Sequence, residues 1–152
     1  MKKIQFTQDI HASAEKVYNT MLGLDAIETY EQWTAAFNPT STYEGSWDKG
    51  AKILFIGTDE VGRKGGMVSE IADLVPFRFV SIRHYGILDG EQEITSGPQV
   101  EAWAGGLENY SLEENNGMTT VTVQIDVAED HLDYFHTTWP KALNKLKELA
   151  EA

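Results

Sequence analysis

Four histidines are the first residues in this chain whose type invites chemistry: His11, His84, His131 and His136. A zinc pair on a helix needs ligands three or four residues apart, so that both rings leave one face. His131 and His136 are five apart, and on an ideal helix they diverge by about 140°. No H-E-x-x-H sequence occurs, and no metal is expected. The chain also lacks a phosphate-cradling P-loop, a dinucleotide fingerprint and a G-x-S-x-G elbow, so no cofactor is expected either. Acid–base chemistry remains. His84 alternates with Val80 and Ile82 and so shares their strand face. Glu101 precedes Trp103 by two residues, and Glu108 precedes Tyr110 by two. A carboxyl group on such an inward face can act as a general acid or base. The plainer alternative is a bulge at Gly105-Gly106 that turns both carboxyls outward.

His136 stands beside an apolar helical stripe, one turn before Trp139 and Pro140. Proline has no N–H, so the carbonyl of His136 loses its helical partner. Two readings stay open. In one, the freed carbonyl and the imidazole face a ligand. In the other, the helix merely bends along a curved sheet and His136 is half exposed, which is how a lone histidine near an apolar stripe usually sits.

The element that holds His136 is a long helix over residues 130–152. Leu132, Phe135, Trp139, Ala142, Leu143, Leu146 and Leu149 fall at helical spacing, with polar residues on the other side. Asp130 is placed to cap its start. At ~1.5 Å per residue it is roughly 30 Å long. A strand at the start of the chain alternates Ile4, Phe6 and Ile10 with polar residues. Ser13 then caps a short helix that Gly23 ends, and a second helical segment covers 25–37. Strands follow over 42–47, 51–58, 65–74, 77–88, 100–113 and 118–127. Residues 89–98 read as a polar loop at the rim of the sheet. Tight turns between successive strands make the sheet antiparallel, and accumulated twist makes it curl.

The chain has 152 residues, which makes a single domain spanning 1–152 the default. Twelve basic against 24 acidic residues leave a net charge of −12, and Arg63-Lys64 is the nearest approach to a basic cluster. Nucleic acid is therefore not an expected partner. There is no cysteine, which rules out disulfides, a thiolate nucleophile and cysteine-based zinc. No stretch approaches the ~20 apolar residues of a membrane span. Residues 1–6 turn polar too soon for a signal peptide, and a cytoplasmic location is expected.

Four stretches resemble a known family. They are residues 10–18 (IHASAEKVY), residues 45–51 (GSWDKGA), residues 66–71 (GMVSEI) with 76–80 (PFRFV), and residues 110–113 (YSLE) with 120–123 (TVTV) and 139–143 (WPKAL). Together they resemble the helix-grip fold of the START, birch-pollen-allergen and polyketide-cyclase (SRPBCC) superfamily. Within it they are most similar to the branch of the C-terminal domain of the activator of the heat-shock-protein-ninety ATPase. The resemblance implies an α+β fold. A curved antiparallel sheet of about seven strands wraps a long C-terminal helix, with two short helices after the first strand. It also implies a ligand cavity between sheet and helix. Trp33, Phe37, Phe55, Trp103, Tyr110, Phe135 and Trp139 would line it, with His84 and His136 as polar contacts.

Three functions follow from the resemblance. The first is binding of a small apolar or aromatic molecule, oriented by Tyr110, His84 and His136. The second is a cyclase- or hydrolase-type enzyme using an inward Glu or His. The third is a chaperone-associated or regulatory domain with a protein partner, docking through exposed aromatics such as Trp47 or Tyr43. Fold by itself does not choose among them, and oligomeric state is left open.

Overall fold

The computed structural model describes residues 1–102 and 104–152. Strand β1 (Lys2–Ile10) has one covered face, because Ile4, Phe6 and Ile10 alternate with more exposed polar residues. Helix α1 (Ala14–Leu22) begins where the Ser13 hydroxyl oxygen accepts the Lys16 N–H at 3.1 Å, and it ends at Gly23 in the left-handed conformation. Helix α2 (Ile27–Thr34) buries Tyr30, Trp33 and Thr34. It stops short of the expected residue 37. The chain turns out of the helix there, with the Phe37 N–H on the Thr34 carbonyl at 2.9 Å.

The sheet comprises β2 (Thr42–Gly45), β3 (Lys52–Thr58), β4 (Lys64–Val75), β5 (Phe79–Asp89), β6 (Gln92–Ile94), β7 (Gly106–Asn115) and β8 (Met118–Val127), together with β1. Its order is β1-β8-β7-β5-β4-β3-β2, with β6 paired to the end of β5. Among the described residues the sheet has eight strands, all neighbours are antiparallel, and it curves without closing. The α+β helix-grip architecture expected from the sequence is the one observed.

Two expectations between residues 89 and 113 need correcting. The polar stretch 89–98 is not all loop. Gly90 takes a left-handed φ of 64°, which lets the chain reverse so that Gln92 pairs with Asp89 and Ile94 with Ile87. Residues 100 and 101, expected to open a strand, are helical. Pro98 starts a helical turn, α3 (Pro98–Glu101), where its fixed φ suits the first position. Glu101 is exposed on that turn, and β7 starts only at Gly106. From Gly106 the pairing with β5 and β8 runs in steady register, so no bulge turns Glu108 outward.

A bulge does occur one strand over. On β5 the pairing to β4 steps from Val68↔Gly86 to Ser69↔His84 and leaves Tyr85 as the extra residue. The parity of β5 changes there. His84 and Ile87, an even and an odd position, therefore both face the interior.

After a single 3-10 turn (Glu129–His131) the chain enters α4 (Leu132–Glu151), which contains Pro140. Asp130 lies in that turn, and no side chain caps the helix, so its expected capping role is not observed. Trp139, Ala142, Leu143 and Leu146 are buried, while Leu132, Phe135 and Leu149 are partly covered. This apolar face packs on β1, α1 and α2. Among the described residues, no helix is long and apolar enough to cross a membrane.

Candidate functional site

Between α2, α4 and the concave face of the sheet lies a hollow of about 520 Å³, open on one side. Seven Phe, Tyr and Trp rings stand in its walls. Helix α2 turns Trp33 inward, and the Trp33 indole N–H donates to the Met21 carbonyl at 2.9 Å. That bond fixes the ring plane and satisfies a buried donor. Trp33 then meets Trp139 of α4 with ring centroids 5.9 Å apart, and Phe37 meets Trp139 at 4.9 Å. Phe135, one turn earlier on α4, stands 6.3 Å from Phe37. Phe55 of β3 closes the other side, 6.3 Å from Tyr30 and 6.0 Å from the His84 ring. Such edge and tilted contacts are the arrangements that aromatic quadrupoles favour.

Seven of the nine expected site residues thus line one space: Trp33, Phe37, Phe55, His84, Tyr110, Phe135 and Trp139. Trp103 lies outside the described residues. His136 does not join them. It is exposed on the flank of α4 that abuts β1, with its ring 5.6 Å from Phe6, edge to face. The reading in which its imidazole faces a ligand is therefore corrected. Trp47 and Tyr43, the aromatics offered as surface anchors, point the other way too. Trp47 is buried, and Tyr43 packs at 4.8 Å on Tyr30 and donates its hydroxyl to the Leu22 carbonyl.

One polar chain crosses the aromatic wall, and it comes from three neighbouring strands. Ser69 of β4 is fully buried, and its hydroxyl lies 2.6 Å from His84 Nδ1 on β5. His84 Nε2 lies 3.1 Å from Oε1 of Glu108 on β7. The Tyr110 hydroxyl donates to the other oxygen, Glu108 Oε2. A carboxylate only accepts, so Nε2 carries a hydrogen toward it. In the neutral ring, Nδ1 then accepts from Ser69. Glu108 stands on the hollow's wall, and the bulge at Tyr85 brings His84 to it.

Burial pushes the hydroxyls of Tyr110 and Tyr30 well above the usual tyrosine range, and the negative Glu108 adds to the shift in both. Both therefore remain hydrogen-bond donors. At the rim, burial opposes ionisation of Asp126, but the Leu107 N–H and the Lys3 ammonium, each at 3.0 Å, hold it below the usual carboxylate range. Among the described residues, no three His, Asp or Glu side chains gather as a metal would require.

The tyrosine shifts have a measurable consequence. Each folded group holds its proton above the unfolded value of ~10, so the unfolded chain ionises first. The associated stability is intact below pH ~10 and is lost as pH rises through that value. Tyr30 and Tyr110 together should cost on the order of 3 kcal/mol between pH 9 and pH 11, read from urea midpoints. Tyr110→Phe should remove about half of that fall. An equal fall in the variant would mean that Tyr110 ionises freely in the folded chain.

The architecture defines the fold: a curved antiparallel sheet grips a long C-terminal helix, the helix-grip fold. Solved structures of that shape include the Aha1 dimer from Colwellia psychrerythraea, 23% identical, with a TM-score of 0.67 over 99% of this chain and 97% of that one. An uncharacterised protein from Rhizobium leguminosarum is 16% identical, with a TM-score of 0.64 over 99% and 94%. A protein from Nitrosomonas europaea is 14% identical, with a TM-score of 0.72 over 97% and 93%. No family model and no curated protein matches the chain. At these identities the likeness is one of fold.

Proposed function

We propose that this chain is a single-domain cytoplasmic protein that binds a small apolar or aromatic molecule in the hollow between sheet and α4. The observation that carries this reading is the hollow itself, about 520 Å³ with seven aromatic rings in its wall. Its size lies within the ~300–1,000 Å³ of ordinary ligand pockets. A solid core would fill such space with side chains, because buried voids weaken a fold. Burying about 200 Å² of apolar ligand surface supplies roughly 5 kcal/mol before the costs of binding. Affinity no tighter than about 0.2 mM is therefore expected from this contribution. Native mass spectrometry of freshly purified protein should show a bound mass, and N-phenyl-1-naphthylamine should bind saturably, one per chain. Met67→Trp places a large ring on the lining and should weaken that binding by at least about tenfold. No saturable binding of any apolar probe would sink the reading.

One observation favours a second reading, acid–base catalysis of the cyclase or hydrolase type. Glu108 and His84 meet on the wall of the hollow, where a bound substrate would lie. If any turnover is found, Glu108→Gln should abolish it. Turnover that survives that change would end this reading.

A further inference from the structure

We propose, building on the binding reading above, that the occupant is an aromatic molecule whose polar end donates a hydrogen bond to Glu108, as an aryl amine or phenol does. Aromatic acids are rejected. The argument starts from the accessible polar atoms of the hollow. A carboxylate offers about four acceptor sites on its two oxygens. His84 and Tyr110 take one each. The Glu108 side chain keeps 23% of its surface and stands on the lining, so its remaining acceptor sites are within reach of an occupant.

Groups that would welcome a ligand anion are scarce. Among the described residues, no lysine or arginine lines the hollow, and the ammonium of Met1, which does, acts on the carboxylate of Asp126. The two histidines that do, His84 and His131, each already face a carboxylate, Glu108 at 3.1 Å and Asp130 at 3.4 Å. Asp126 adds negative charge at the rim, and its Lys3 partner is spent on it. Trp139 Nε1 has no partner among the described residues, but it is shielded from the hollow and offers an occupant no donor. A carboxylate or phosphate entering this space would be desolvated beside Glu108 with no lysine or arginine to pair with. The overall charge of −12 opposes its approach as well. An amine or hydroxyl on a flat ring meets the opposite situation. Its ring replaces water against Trp33, Phe37 and Phe55, and its hydrogen finds a charged acceptor, the stronger kind of hydrogen bond.

The test compares four probes that share one ring system. Naphthalene, 2-naphthol, 2-naphthylamine and 2-naphthoate are each titrated at pH 7 against bound N-phenyl-1-naphthylamine. The naphthol and the amine should compete at least about tenfold better than naphthalene, and the naphthoate worse than naphthalene. In Glu108→Gln the spread between naphthol and naphthoate should collapse to about threefold or less, with circular dichroism confirming the fold. Tyr110→Phe frees a Glu108 acceptor site and should keep or widen the advantage of the naphthol. The inference is overturned if naphthoate binds as well as naphthol, or if Glu108→Gln leaves the ranking intact. It also fails if the advantage disappears in Tyr110→Phe alone. Failure of every probe, including N-phenyl-1-naphthylamine, overturns the binding reading with it. Binding that ignores the head group overturns this inference alone.

Discussion

Gly66→Ala should destabilise the fold by roughly 3 kcal/mol and lower its melting temperature by on the order of 10 °C. Gly66 lies on β4 opposite Ile56, with φ at 148°. Side chains rarely adopt that conformation, and here the space is closed as well. A Cβ would sit 1.8 Å from the Phe55 carbonyl oxygen and 2.9 Å from its carbon. Those atoms are backbone and cannot swing aside, so β3 must move away from β4. Phe55 moves with it, and its ring forms one wall of the hollow. Gly50→Ala is the internal control. Gly50 also has positive φ, at 85°, but nothing lies within 4 Å of its would-be Cβ. That change should cost only about 1 kcal/mol, the strain of a left-handed residue. Urea denaturation of both variants checks the pair. Equal costs would mean that the close approach at Gly66 is absent in solution.

How much of this was legible beforehand depended on how one-sided each element is. In β8, Val121, Val123, Ile125 and Val127 are buried while their neighbours are half covered, and a period of two shows through such a contrast. The stripe of α4 was legible for the same reason, with a helical period. Phe135 and Trp139 of α4 follow from that spacing, whereas Trp33 and Phe37 rest on the family resemblance. The turn at Pro98 is not legible, because Val100 is the one buried residue of α3 and no period can be counted. Proline at the first position of a turn was the available signal. The polar chain was harder. Ser69, His84 and Glu108 belong to three strands and meet only through the cross-strand register. A bulge at Tyr85 then sets which face His84 takes, and no residue type announces that bulge. Glu108 could be placed on the side of Tyr110 from the sequence, but its partners could not be named. His136 shows the converse. Pro140 drew attention to it, yet two residues three apart on a helix differ by about 60° in direction. That suffices to put Trp139 inside and His136 outside.

Trp33→Ala should produce the largest loss in the core, about 3–5 kcal/mol. The side chain is 1% exposed and joins the two halves of the grip. Its ring touches Tyr30 on its own helix, Tyr110 on the sheet and Trp139 on α4, at centroid distances of 5.7, 6.4 and 5.9 Å. Truncation removes all three contacts. It also strips the buried Met21 carbonyl of the indole N–H that serves it, a loss on the order of 1 kcal/mol. Trp33 borders the hollow, so the vacated volume merges with existing space and does not collapse. A cavity of that kind, lined by rings, accepts a flat apolar guest of the lost size. Indole at millimolar concentration should therefore raise the melting temperature of Trp33→Ala by several degrees, and far more than that of the parent chain, through preferential binding to the folded state. The two measurements separate two failures. A loss under about 1 kcal/mol would mean that Trp33 does not bridge α2, α4 and the sheet. A full loss without rescue by indole would mean that the space fills with neighbouring side chains, which would leave the proposed guest no room.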